Sequence, residues 1–521
     1  MDSSIRQWWH DTHEDSVRGS GRVAPTQLAD RSPRLYRLTL ELVAAVGPVF
    51  LYGLPLLALG TGLYLITLVQ DPAVPSTSLP ILATGLATLV LAWASLELWR
   101  LRPVLPDGVT LAPEDAPKLH AMIKRRVEKF AAPAIDRVLL TRDARIEVVS
   151  TPRNGYLTGH EHSLCIGVPL LHLLSYRQLR VKLHCVIGQH AATRGPGAGR
   201  LVRLSRDWES SARGLRDQVS PGAWLPRAFA AWYAPLLRDW SAPAVREHAL
   251  RHDRHAADLV RDIEILAMIA AEEVCAAYLE HAFWPLLMKS ADRQPNPTIR
   301  PFANFAPILR STLQQQDAER WLIKALMARE EDEGTQPTLA RRLDTLGYAQ
   351  LHFFSLPEHG AVTVLTGRGT HERLQELDQQ WRTEIHPAWR ARHQAFRDEK
   401  ARFELLHERF EANLLEGPAA FAYARLVSRF LPAEQCIRIY RTLLERDQDS
   451  PEVLFEMGKL LLDSGQISGV RAIELAISLD KSYVGRASAA LSEFTARRKL
   501  GLDRGRPTAP LDMESLRIDA A

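Results

Sequence analysis

Two long charge-free runs, set close together in the first fifth of the chain, constrain its folding more than any other feature. From Leu42 to Gln70 there is no charged residue, and from Leu79 to Trp99 only Glu97 interrupts. Each run meets the roughly 20 apolar residues that a helix needs to cross a bilayer. Between them lies one short Pro-rich turn, DPAVPSTS. A pair of buried core helices has the same length, but two such runs joined by so short a turn read as a membrane hairpin. Arg6, Arg18, Arg22, Arg31, Arg34 and Arg37 precede the first run, Arg100 and Arg102 follow the second, and the turn holds neither Lys nor Arg. That asymmetry predicts both flanks, and so both termini, on the cytoplasmic side. The apolar stretch begins too late for a signal peptide, and no small-residue cleavage site follows it.

The remaining sequence has the makings of several cores. A length of 521 residues predicts three or four domain-sized units. Apolar residues at 46% and charged residues at 24% exclude a largely disordered chain. With 65 Lys+Arg against 61 Asp+Glu, the net charge of +4 argues against a dedicated nucleic-acid binder. Four cysteines without paired spacing exclude a disulfide scaffold and a Cys-based zinc ribbon. Arg far outnumbers Lys and Ala is abundant, the bias of a GC-rich bacterial genome, so the expected location is the bacterial inner membrane.

The expected fold class is mainly α (α+β). A basic N-terminal segment (1–41) leads into the membrane hairpin (42–100), and a helical domain with a small β-sheet follows (101–350). In that domain APEDAPKLHAMIKRRVEKF reads as a helix capped by its Pro-Glu-Asp start. Arg137–Thr141, Arg145–Val149 and Ser163–Val168 read as short strands with a turn at Arg153-Asn154-Gly155. A helix is expected over 176–193, ending at Arg194-Gly195-Pro196-Gly197, and residues 200–330 read as helices punctuated by Pro221, Pro226, Pro235 and Pro243. A charged helical connector (351–416) precedes residues 417–500, whose period near 34 suggests two degenerate tetratricopeptide-like hairpins. Gly458 and Gly465 fall at close-packing and turn positions of the second hairpin, and residues 501–521 read as a disordered tail.

The strongest motif spans residues 164–209, LCIGVPLLHLLSYRQLRVKLHCVIGQHAATRGPGAGRLVRLSRDWE. A strand runs into Gly167-Val168-Pro169-Leu170-Leu171, and a helix starts at Leu174-Ser175 and passes Leu179-Arg180. This order resembles the active-site helix of the HtpX and CAAX-protease group of integral-membrane zinc metallopeptidases (family M forty-eight). The resemblance covers roughly residues 40–350. It implies a zincin-like helical domain in which two His at i, i+4 of an HExxH motif bind zinc. The intervening Glu activates the metal-bound water.

In register with those flanks the motif itself is replaced. Its five positions read Cys185-Val186-Ile187-Gly188-Gln189, so Cys185 and Gln189 stand for the two His and Val186 for the base. The family's third ligand, a Glu in Ser-Arg-x-x-Glu-x-x-Ala-Asp, falls on Arg254, while Arg251, Ala257 and Asp258 match. A late Thr-His-Pro becomes Thr335-Gln336-Pro337, followed by Leu339-Ala340-Arg341-Arg342-Leu343. A guanidinium cannot shed its proton to receive a divalent cation. Arg254 is therefore expected to pack against Asp258 or Gln189 across the former cleft, leaving no catalytic residue and no bound metal or other cofactor.

Other chemistry-bearing residues have plainer readings. His248, His252 and His255 share one helix face, and His248 with His252 could chelate a metal, but a second element would have to complete the site. A solvated or core-lining His face is the simpler reading. His160 and His162 alternate on one side of an expected exposed turn. His184 and His190 lie off the face of Cys185, which reads as a buried structural thiol. Trp208, Trp224, Trp232, Trp240 and Trp284 read as core or membrane-interface residues. The expected function is that of a membrane-anchored, non-catalytic metallopeptidase-like protein. It would bind protein partners through its C-terminal repeats or its former substrate cleft, and no nucleic acid. The alternative is an active zinc metalloendopeptidase with an atypical metal site.

Overall fold

The computed structural model describes residues 23–499, except 72–74, 76–78, 101–105, 153–158, 194–197, 217, 219, 258–261, 329–334, 349–353, 366–368, 416 and 447–449. Asp258, the turn at 153–155, the breaker run at 194–197 and the tail after Asp503 lie outside the described residues. Two compact units emerge: Met1–Leu287 with Arg300–Glu384, and Met288–Ile299 with Ile385–Ala521.

The first unit opens with α1 (Val23–Arg31), α2 (Pro33–Gln70) and α3 (Leu79–Arg100). Both α2 and α3 are long and apolar enough to cross a membrane. Pro33, at the first position of α2, gives up an amide that a helix start leaves unbonded anyway. The helix begins well before the apolar run, and its 38 residues extend about 57 Å. Tyr36, Leu40, Ala44, Gly47, Leu51, Leu54 and Ala58 form its buried stripe. The stripe recurs every three or four residues, the spacing of one helix face. Leu56, Leu57, Leu59 and Leu63 stay exposed, as on a helix whose surroundings are themselves apolar. α3 returns alongside: a methyl at Gly62 would touch Thr88 at 3.5 Å and one at Gly85 would touch Leu65 at 3.8 Å.

Beyond the hairpin lie β1 (Val109–Thr110), α4 (Pro117–Phe130), β2 (Arg137–Thr141), β3 (Ile146–Pro152) and β4 (His160–Gly167). The sheet order is β1-β2-β4-β3, with β2 and β4 parallel and the other pairs antiparallel. The two-residue β1 has no signature in sequence, whereas the other three strands fall close to the expected ranges. α4 starts later than expected, and Asp115 does not cap it. Its carboxylate turns back to accept from the Ala112 amide at 3.1 Å and from Arg373 Nε at 3.1 Å.

β4 leads through Gly167 into α5 (Val168–Leu173) and α6 (Tyr176–Ala192). A side chain at Gly167 would collide with the Asp143 carbonyl, so the tight exit from the strand requires glycine. Ser175 caps α6 in a reciprocal capping box with Gln178, which accounts for the abrupt helix start. α6 is the centre of the unit: Leu179, Val181, Leu183, Cys185, Val186, Ile187, Gly188 and His190 are all buried. The expected docking of the sheet on this helix is present, His162 of β4 meeting His190 of α6 with ring centroids 4.6 Å apart.

α7 (Ala198–Arg216), α8 (Trp224–Ala257), α9 (Asp262–Tyr278) and α10 (Trp284–Lys289) follow, the last two joined by a π-turn at Leu279–Phe283. The prolines expected to break this region do not break α8, which carries Pro235 and Pro243 inside 34 residues. α11 (Phe305–Thr312), α12 (Gln315–Leu326), α13 (Leu339–Thr345) and the start of α14 (Thr370–Glu411) complete the unit.

The second unit is built on the C-terminal part of α14 with α15 (Gly417–Phe430), α16 (Ala433–Arg446), α17 (Pro451–Asp463), α18 (Ser468–Leu479) and α19 (Val484–Lys499). α15–α16 and α17–α18 are two helix-turn-helix hairpins. Phe403, Leu406, Tyr423, Val427 and Tyr440 fill the core between α14 and the first hairpin. In the second, Gly465 takes a φ of 78°, a turn conformation that suits glycine. Gly458 lets α17 and α18 approach, since a methyl there would lie 2.7 Å from Ile473.

Candidate functional site

The positions matching the peptidase motif lie at the middle of α6, among α4, α8 and α9. Lys182, one turn before Cys185, pairs with Glu272 of α9. Glu272 also accepts from Arg342 Nη1 of α13 at 3.1 Å. Arg342 in turn grips Asp253 of α8 in bidentate fashion, Nε to Oδ2 at 2.9 Å and Nη2 to Oδ1 at 3.3 Å. Two cations and two carboxylates thus close a charge-neutral quartet, and all four side chains are largely buried. Burial opposes the charge on Arg342, but Asp253 and Glu272 outweigh it and hold the guanidinium firmly protonated. Burial likewise pushes against the Glu272 charge, and Lys182 and Arg342 reverse the balance so that its carboxyl stays below the ordinary range.

Cys185 sits against this quartet. Burial, reinforced by Asp253, pushes its thiol up to about 12. A neutral thiol of this kind is a poor nucleophile. Val186 is buried beside it. Arg254 does not turn inward as expected. It is exposed, and Asp253, one residue earlier, faces inward. Helix periodicity explains the correction, because adjacent residues lie about 100° apart around the axis. Gln336 is exposed in the turn before α13, where Thr338 caps the helix by accepting from the Arg341 amide at 3.3 Å. That start places Arg342, a residue whose partners sequence spacing alone does not reveal.

Zinc, which the resemblance implies, does not fit this donor set. One thiol beside an amide, a valine and an outward guanidinium leaves a tetrahedral zinc shell short of ligands.

His248 and His252 do come together, ring centroids 4.7 Å apart, with His255 a further 6.2 Å from His252. Burial, then the neighbouring His248 and His255 rings, lowers His252 to about 4. His184 of α6, tilted against Phe130 of α4, is lowered to about 4 by burial and by Lys129 and Arg126. Gly188 lies at this face, where a methyl would make ordinary contact with His252 Nδ1 at 3.4 Å and with the Phe130 ring at 3.5 Å.

A second polar cluster gathers residues from β3, β4, α6 and α7. His160 and His162 do not lie on an exposed turn. They project from β4 toward α7 and α6, His160 Nε2 meeting Asp207 Oδ2 at 3.1 Å and His162 Nδ1 meeting Ser150 Oγ at 2.8 Å. Burial raises the Asp207 carboxyl against the pull of His160. The His-x-His spacing gave the period of a strand face, but not the buried Asp207 and His190 it would face. Among the described residues no group of three or more His, Cys, Asp or Glu is arranged to hold a metal ion. No family model, curated protein or solved structure matches the chain.

Proposed function

We propose that this chain is a membrane-anchored, metallopeptidase-like protein that has lost its zinc site and catalytic base and acts by binding other proteins. What supports the reading is the closed quartet of Lys182, Glu272, Arg342 and Asp253 beside the protonated Cys185. The resemblance would put the family's metal beside these self-neutralised ionic groups. In this reading α2 and α3 span the bacterial inner membrane, with both large flanks in the cytoplasm. The hairpins α15–α18 are tetratricopeptide-like and offer their surface to a helix or extended peptide. Repeat modules of that type bury their cores only between neighbours, consistent with the shared core of α14 and α15–α16.

Metal analysis of the detergent-purified protein, run beside a peptidase assay, tests this reading. The expected result is no stoichiometric zinc and no cleavage. One equivalent of zinc with chelator-sensitive proteolysis would overturn it in favour of an active zinc endopeptidase, with His248 and His252 the first residues to substitute.

A further inference from the structure

The start of α8 does not stay beneath the hairpin but rises beside it. Tyr36 of α2 donates to the Trp240 carbonyl at 2.8 Å, and Tyr233 donates to the Val43 carbonyl at 2.9 Å. Higher up, the Phe50 and Phe229 rings stack at 3.7 Å, and Leu225 joins the cluster of Leu51, Leu54, Ala94 and Leu98. α8 therefore runs antiparallel to α2. The close approaches of Gly62 to Thr88 and of Gly85 to Leu65 place Arg100, the end of α3, level with Phe50.

The turn at Pro221–Ala223 passes that level. Gly222 lies so close to the Trp93 ring that no side chain fits between them. Trp93 precedes Arg100 by two turns of helix, about 10 Å at 1.5 Å per residue. The outer face of this segment carries no charge: Pro221, Trp224, Ala228, Ala231, Trp232 and Pro235 are exposed at helical spacing. Both tryptophans are 58% exposed. Arg227 turns away from this face and donates to the Leu215 carbonyl at 3.1 Å. Along α8 the next charges are Arg238 and Asp239, which pair with each other at 3.6 Å. Beside its start Glu97 of α3 accepts from Ser220 Oγ at 2.7 Å and from Trp93 Nε1 at 3.1 Å.

We propose that residues 221–235 are sunk into the leaflet on the Arg100 side, with lipid acyl chains as the occupant of the Trp224/Trp232 face. This rests on the proposed crossing of the membrane by α2 and α3. Beside the start of this face lies Trp93 of α3, itself exposed. Trp224 stands above the level of Arg100 and Trp232 just below it, where tryptophan belts form at membrane boundaries. An apolar, charge-free helix face at that height is an interfacial anchor.

Fluorophore placement tests this in the full chain, because the native cysteines Cys165, Cys185, Cys275 and Cys436 are all buried. Trp224→Cys and Trp232→Cys would carry an environment-sensitive label in vesicles of phosphatidylethanolamine and phosphatidylglycerol. Leu63→Cys on the outer face of α2 and Met327→Cys, 78% exposed, serve as references. Lipids spin-labelled near the headgroup or deep in the acyl chain should quench positions 224 and 232. Iodide should quench them several-fold less than position 327, and 224 should respond to the deeper spin label more than 232. Quenching of 224 and 232 by iodide as strong as at 327, with 63 still quenched by lipid, would overturn the anchor alone. Protection of 224 and 232 from both quenchers would replace lipid by a protein occupant and also overturn it. If position 63 too ignored the spin-labelled lipids, the crossing of the membrane would fail and the anchor with it.

Discussion

Removing the Arg342 guanidinium would strand Asp253 and Glu272 as buried carboxylates without a shared counter-ion. Breaking a buried pair from one side costs about 3–5 kcal/mol. Arg342→Ala should therefore lower the thermal unfolding midpoint by several degrees, as read by circular dichroism in detergent. Arg342→Lys should restore only part of it, since an ammonium cannot reproduce the bidentate grip on Asp253 while reaching Glu272. Wild-type midpoints for both variants would show the quartet to be energetically idle. Histidine titration gives a second test. His184 and His252 sit near 4 in the folded chain, against about 6.5 when free in the unfolded one. Between those values the unfolded chain takes up protons that the folded chain refuses. Their contribution is full above about pH 6.5 and falls as pH drops toward 4. Urea midpoints should decline on acidification through this window, and a His184→Gln/His252→Gln variant should decline less. The thiols make a third: burial raises Cys165 and Cys185 to about 12, so a maleimide should modify neither until the chain is denatured.

At the level of elements, α14 and the first hairpin share one core. Phe403→Ala would leave a cavity among Tyr423, Val427 and Tyr440, at a cost of about 3–5 kcal/mol. Limited proteolysis should then cut within 417–446 while α6 and the sheet stay protected. The segment 417–521 expressed alone should fail to give a folded monomer. Which elements were legible in sequence follows from how local their causes are. The capping box at Ser175 and the short apolar runs of β2 and β4 announce themselves within a few residues. β1 does not, because its two residues are a strand only through pairing with Leu139 and Leu140. α8 is one helix where its prolines suggest several pieces: proline removes one hydrogen bond and crowds the preceding turn, but packing along α2 and α7 carries the helix through Pro235 and Pro243. The quartet was illegible for the opposite reason. Lys182, Asp253, Glu272 and Arg342 come from four helices, and no spacing along the chain encodes their meeting.

For the whole molecule the proposed topology puts both ends of the chain on one side of the membrane. Reporter enzymes fused after residue 521 should be active in the cytoplasm only, and a periplasm-only signal would reverse the assignment. The length of α2 then has a mechanical consequence. Its apolar part would be seated in lipid, while Tyr36, Leu40 and Ala44 are clamped by Trp208, Tyr233 and Leu237 from α7 and α8. One continuous helix joins the two without a loop, although Pro48 and Pro55 lie inside it and each gives up a backbone hydrogen bond. The body is therefore tied to its anchor more tightly than a flexible tether would tie it, with any bend expected at these prolines. A thinner bilayer, which tilts a span that is too long for it, would lean the first unit with it.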